Sequence, residues 1–238
     1  MGTQIQLGGT RVDVTLKPIK NVHLSVHPPS GRVRISAPDR MDMNTIRAFA
    51  ISKLGWIRKQ QERLRAQERE ATRDYMERET HLVWGRRYLM QIAETTGRAY
   101  VESRHASIIM HIPAGATVQR RHAVMQDWYR SILKDAIEPL LAKWEPIIGV
   151  QPASVTVWRM KTLWGSCSPR RGAIRINLEL SKKPTPCLEY ILVHELVHFL
   201  EPSHNRKFVA HMDRLMPDWR HRRNELNRLP VPHDDWEY

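Results

Sequence analysis

A chain of 238 residues with 41% hydrophobic content can bury one or two cores, and no run of about 18 apolar residues is present to cross a bilayer. Thirty-eight Lys and Arg against 25 Asp and Glu leave a formal charge of +13, a field that draws the protein towards polyanions and says nothing of its fold. Two cysteines, Cys167 and Cys187, exclude a disulfide framework. With no basic-then-apolar leader, and with Gln6 where a myristoylation site needs Ser or Thr, the expected compartment is the cytoplasm and no membrane partner is expected.

Residues 11–16, 22–26 and 32–37 read as short strands, the last two flanking a Pro28-Pro29-Ser30-Gly31 turn in a hairpin or meander. A helical period follows from residue 44 through Ile46, Phe49, Ala50 and Leu54. After Gly55 it resumes at Trp56 and Ile57 and runs to about residue 72 with mixed charge, which suits a solvated face better than a nucleic-acid contact. Residues 82–93, with Trp84-Gly85-Arg86-Arg87 as a turn or bulge, and 107–112 return to strand character. Thr117 caps a long helix striped by Met125, Trp128, Ile132, Ala136 and Leu140, with a kink expected at Pro139. Two further strands, 154–158 and 173–178, lead to a helix from about 186 to 200, with Thr185 as cap and Pro186 at its first position. Helices at 205–216 and 219–229 close the chain before a loosely held tail, 230–238.

The 186–200 helix carries His194-Glu195-Leu196-Val197-His198. At 3.6 residues per turn the two imidazoles stand one turn apart on one face and can grip one ion, while Glu195 flanks that face without ligating. Pro202 ends the helix and lets the chain swing His204 back towards them. With 12 His in the chain, the full three-His pattern arises by accident in only roughly two such chains in a thousand. Three nitrogens leave one position open, the mark of catalytic rather than structural zinc, so one zinc ion per chain is expected. Zinc so held activates its bound water and polarises a carbonyl, and Glu195 takes the water's proton and passes it to the leaving amine. The expected reaction is peptide-bond hydrolysis. The alternative is a basic nucleic-acid- or protein-binding module whose zinc site is structural or silent.

Other candidates are open at this stage. Trp164, Gly165 and Ser166 fit either a cleft wall or a tight turn under the metal helix. Cys167 reads as a small buried hydrophobe rather than a fourth ligand, and His211 as a surface residue rather than an oxyanion partner. Residues 156–183 hold Arg159, Lys161, Arg170, Arg171, Arg175, Lys182 and Lys183 against Glu179 alone, either a DNA footprint or a solubilising surface.

Lys161-Thr162-Leu163-Trp164-Gly165-Ser166-Cys167-Ser168, then Ile176-Asn177-Leu178, then the His-Glu motif with His204, resemble the YgjP-like branch of the SprT-related zinc metallopeptidases. Leu163 stands where that family commonly has Arg. The resemblance implies an α+β, zincin-like fold over residues 12–229. Within it, a strand-rich region spans 12–112, with helices near 44–72, and a helix-rich catalytic half spans 113–229. It also implies zinc on His194, His198 and His204 and Glu195 as base; the expected peptide or protein substrate rests on the zinc chemistry, a DNA association through 156–183 on the charge of that stretch, which suits the resemblance, and Asn177 is a further cleft candidate.

Overall fold

The computed structural model describes residues 2–27, 31–66, 73–160 and 163–230, and the chain divides into a first unit of residues 1–70 with 230–238 and a second of 71–229. The 28–30 turn, the charged stretch 67–72, Lys161 and Thr162, and most of the tail lie outside the described residues.

In the first unit, β1 (Gly2–Leu7), β2 (Thr10–Lys17), β3 (His23–His27) and β4 (Arg32–Pro38) form one sheet in the order β1-β2-β4-β3. The pairing is two antiparallel hairpins joined by a parallel β2–β4 contact, rather than a meander in chain order. Alternation decides which face is inside: Val12 and Val14 on β2, and Val33, Ile35 and Ala37 on β4, are buried. They share a core with Ile46 and Ala50 of α1 (Met43–Ser52) and Ile57 of α2 (Leu54–Ala66). Asp42 caps α1, its carboxylate accepting from the amides of Asn44 and Thr45 at 2.9 Å each.

In the second unit, β5 (Thr80–Val83), β6 (Arg86–Glu94), β7 (Tyr100–Arg104) and β8 (Ser107–Ile112) make a sheet in the order β5-β6-β8-β7. The 31-residue helix α3 (Val118–Ile148) is capped as expected by the Thr117 hydroxyl, which accepts from the Arg120 amide at 3.2 Å. It continues through both Pro139 and Pro146. A second sheet follows in the order β10-β11-β9, from β9 (Ser154–Trp158), β10 (Gly165–Ser168) and β11 (Ala173–Asn177). Then come α4 (Thr185–Val197), α5 (Arg206–Leu215) and α6 (Trp219–Arg228). The architecture is mixed α+β, with strands leading and helices closing the chain. Among the described residues, no helix is long and apolar enough to cross a membrane.

The sheet β5–β8, grouped by sequence with the early strands, lies in the unit that holds α4. Its anchor is the turn Trp84-Gly85, whose φ values of 50° and 78° make it a turn and not a bulge. The Trp84 and Gly85 amides donate to the carbonyls of Ser181 and Lys182 at 2.9 and 3.1 Å. A Cβ at Gly85 would fall 2.8 Å from Pro184 Cγ, so only glycine lets this turn close on the residue that begins α4. Pro184, not Thr185, occupies the N-cap position, and no side chain caps the helix there.

Nine of the thirteen residues of α4 are buried on all sides, so the helix shows no apolar stripe. It packs on α3, α5, α6, β10 and the 3-10 turn Leu178–Lys182. Glu189 ties three of these helices together. Its Oε1 accepts from Lys143 Nζ at 2.7 Å and Trp144 Nε1 at 3.0 Å on α3, and its Oε2 from Arg222 Nη1 at 2.6 Å on α6. Burial alone would raise this carboxyl, but the three donors outweigh it and hold it at about 2 against an ordinary 4.5. A depressed folded-state pKa means that the stabilisation is full above about 4.5 and is lost as pH falls towards 2. Glu189→Gln is therefore expected to cost about 2 kcal/mol in urea unfolding at pH 7, after discounting the shift for partial exposure. The gap to the parent protein should narrow steadily between pH 5 and pH 2; a gap unchanged over that range would dissociate the loss from this carboxylate's charge.

Candidate metal centre

His194 lies in the last turn of α4, and His198 follows as its C-terminal cap. The helix tightens there: the amides of Phe199 and Leu200 donate to the carbonyls of Leu196 and Val197 at 3.1 and 2.9 Å. Residues 201–205 then turn, fastened by the Ser203 amide and hydroxyl, which donate to Glu201 Oε1 at 3.2 and 2.9 Å, and His204 comes back to the first two histidines. One ring nitrogen from each of His194, His198 and His204 lies within 4.8 Å of the others. His194 and His204 meet Nε2 to Nε2 at 2.9 Å.

The protonation of His194 and His198 suits a cation. Burial first, and then the positive charge available to His198, His204 and Arg223, pushes His194 down to about 3, so its ring is neutral at pH 7. Burial likewise lowers His198, although its bond to the Glu201 carbonyl works against that. His198 Nδ1 donates to the Glu201 carbonyl at 3.2 Å; since a carbonyl only accepts, Nε2 is left with its lone pair. Phe208, in the first turn of α5, packs among all three rings, with centroids 4.9, 4.8 and 4.7 Å from those of His194, His198 and His204. Tyr190, one turn before His194, meets that ring edge-on at 5.9 Å. The donor set fits a metal such as zinc: three imidazoles, that of His194 neutral and that of His198 with its tautomer fixed by a backbone acceptor.

Glu195 is 5% exposed, and burial raises its carboxyl to about 8. The wall against it is β10. A Cβ at Gly165 would sit 2.5 Å from Glu195 Oε1, 2.8 Å from its Cγ and 2.9 Å from Ile191 Cγ2. Gly165 and Cys167 share this face, because they pair with Ile176 and Ile174, both fully buried. Burial and the neighbouring Glu195 push the Cys167 thiol up to about 11, and Cys167 is not in the three-histidine group.

The remaining sequence candidates separate. Asn177 is buried and staples the loop before β10: its Nδ2 donates to the carbonyls of Met160 and Leu163 at 2.8 and 2.7 Å, and its Oδ1 accepts from the Glu179 amide at 3.2 Å. Trp164 rests on the core, its carbonyl accepting from the Asn177 amide at 2.9 Å, with Lys183 Nζ 6.0 Å from its ring centre. Ser166 pairs with Arg175, whose side chain is exposed, on the face turned away from Glu195. His211, on α5, makes no ring contact, hydrogen bond or ion pair with these groups among the described residues.

The basic stretch 156–183 is not one surface. Lys183 is 1% exposed, and Lys182 is folded inward on the buried Glu179 at 2.6 Å. Both are therefore removed from any phosphate-facing set, since a lysine so placed cannot reach solvent anions. Arg159, Arg170, Arg171 and Arg175 stay exposed. Sequence reasoning missed Phe208 as a site residue and Gly165 as the neighbour of Glu195. An inward apolar residue on α5 reads as core, and nothing in Trp-Gly-Ser-Cys says which helix it crosses.

A His-Glu-x-x-His helix joined by a third histidine from the next turn, on an α+β framework, defines a zincin-type metallopeptidase. The model of the YgjP-like metallopeptidase domain matches residues 20–229, and the chain belongs to that family. None of the curated proteins matches it. Among solved structures, the metallopeptidase zymogen abylysin of Pyrococcus abyssi is similar at 23% identity, covering 40% of this chain and 99% of that one with a TM-score of 0.35.

Proposed function

We infer that the chain hydrolyses peptide bonds in a peptide or protein substrate, with one zinc ion held by His194, His198 and His204 and Glu195 as general base. The convergence of three imidazole nitrogens beside a buried carboxylate is the observation that carries this reading. Zinc, when bound, supplies Lewis acidity and a water of near-neutral pKa. The protein's own part is to hold a proton acceptor where bulk water is scarce. Glu195, walled by Gly165, accepts a proton at a carboxylate oxygen in its ionised form, which a cation held by the neighbouring histidines would favour against the effect of burial, and returns it to the leaving amine. Phe208 and the Glu201 carbonyl fix the imidazoles. β11 is paired on both sides, so strand 173–178 has no free edge; the edge strand beside Glu195 is β10, which suits an extended peptide adding alongside it. The reading extends to residues 12–229 acting together in the cytoplasm. Purified protein is expected to carry about one zinc, and His204→Ala to lower the occupancy as strongly as His194→Ala or His198→Ala. Full zinc in the His204→Ala protein would remove that residue from the site.

A second reading, DNA association, rests on the solvent face of the β9–β11 sheet. Trp158 is 54% exposed, its Nε1 donates to Thr156 Oγ1 at 3.1 Å, and the Arg175 guanidinium lies 5.2 Å from its ring centre. A fixed aromatic beside exposed arginines suits single-stranded DNA. Arg170→Glu with Arg171→Glu should flatten the salt dependence of binding, and Trp158→Ala should weaken it by about tenfold. No affinity at low salt would leave these arginines as a solubility feature.

A further inference from the structure

The first unit carries a cluster of arginines that the catalytic reading does not use. Residues 1–70 hold 13 Lys and Arg against 6 Asp and Glu, more than half of the chain's excess charge. Four of the arginines, Arg11, Arg32, Arg58 and Arg65, line a cavity of about 520 Å³ between the β1–β2 turn, the start of β4 and α2. Arg32 pairs with Asp13. Arg11, Arg58 and Arg65 are exposed and make no ion pair or hydrogen bond among the described residues, and Glu62 is the one acidic group on the lining.

Glycine shapes the wall. Gly8 and Gly9, at φ +50° and +83°, close the β1–β2 turn, and a Cβ on Gly8 would touch Arg58 Nη2 at 3.7 Å, so this guanidinium lies against the bare turn. Across the cavity Gln61 Nε2 donates to the Gly31 carbonyl at 2.8 Å, and a Cβ at Gly31 would crowd Gln61 Cγ at 3.1 Å. Like charges gathered around a concavity repel one another, and among the described residues no ion pair or hydrogen bond of Arg11, Arg58 or Arg65 offsets that. Forked guanidiniums match phosphate oxygens two at a time, and adjacent phosphates need several such forks within a small volume.

We propose that this cavity binds a compact oligophosphate, a di- or triphosphate group, either free or carried on a nucleotide. Among the described residues no aromatic ring lines it, so the phosphates and not a base are recognised. Calorimetric titration of the full chain with inorganic tripolyphosphate, at about 50 mM salt to limit screening, is the test. Binding is expected at one per chain. Arg58→Gln with Arg65→Gln should weaken it at least about tenfold, and Arg170→Gln with Arg171→Gln, in the second unit, should leave it within about twofold. A nucleoside triphosphate binding as tightly as tripolyphosphate makes the phosphates the recognised part; one binding far more tightly overturns that. Equal losses in the two double variants would make the binding a property of the general positive field, and no heat up to millimolar ligand would remove the site. A single-stranded oligonucleotide that displaces tripolyphosphate would assign the arginines to a nucleic-acid backbone instead. Among the described residues Arg58 and Arg65 make no ion pair or hydrogen bond to lose, so unchanged thermal melting is expected; if the double variant melts early, Arg11→Gln carries the same comparison.

Discussion

Glu195→Gln is expected to cut peptide hydrolysis by at least a hundredfold while zinc content and melting temperature stay unchanged. The amide is nearly isosteric with the carboxylate and fits the same pocket against Gly165, and it removes a buried acid that burial already disfavours in its charged form. What is lost is the ability to take a proton. General base catalysis is worth about 10² to 10⁴ in rate, or about 3 to 5 kcal/mol of barrier. An unstructured protein such as a casein is a suitable substrate, with zinc measured on the same samples. Equal rates for the two proteins would assign the proton to another group. If neither cleaves any peptide while both bind DNA equally, the binding-module alternative gains the ground.

Gly165→Ala is expected to lower the same activity by about a hundredfold through position alone. The new methyl would lie 2.5 Å from Glu195 Oε1 and 2.9 Å from Ile191 Cγ2, closer than non-bonded atoms approach, so either the carboxylate or β10 must move. Displacing a reacting group by about 1 Å costs about 10² in rate. The atoms nearest that methyl belong to Glu195 and Ile191 and not to a histidine, so zinc should be retained, and Ser166→Ala, on the opposite face of β10, should keep near-normal activity. Parent-level cleavage by Gly165→Ala would mean that Glu195 tolerates the shift and that Gly165 serves packing only.

How much of this was legible beforehand depends on where each signal resides. The histidine pattern is local: helical periodicity and a proline stop set His194, Glu195 and His198 on one helix, and the return of His204 follows from a turn of a few residues. Thr117 as a cap and the strands at 107–112 and 154–158 are local too, and the structure places them at those residues. β1, β7 and β10 were not foreseen. Gln4 and Gln6, the charged 102–104 stretch and Gly-Ser-Cys-Ser have weak strand propensity, and become strands because a neighbouring strand supplies the hydrogen bonds.

Sequence by itself determined the family, the identity of the imidazole set and the acid beside it, because these depend on spacing within a dozen residues. Tertiary structure alone decided that Gly165 is the surface against which Glu195 rests, that Asn177 staples a loop, and that Lys182 and Lys183 turn inward. Each of these depends on which distant segment arrives at the residue. Charge counted along the chain cannot tell a solvent-facing arginine from a lysine folded onto Glu179, since the desolvation that separates them is set by the packing of α3, α4 and the 178–182 turn.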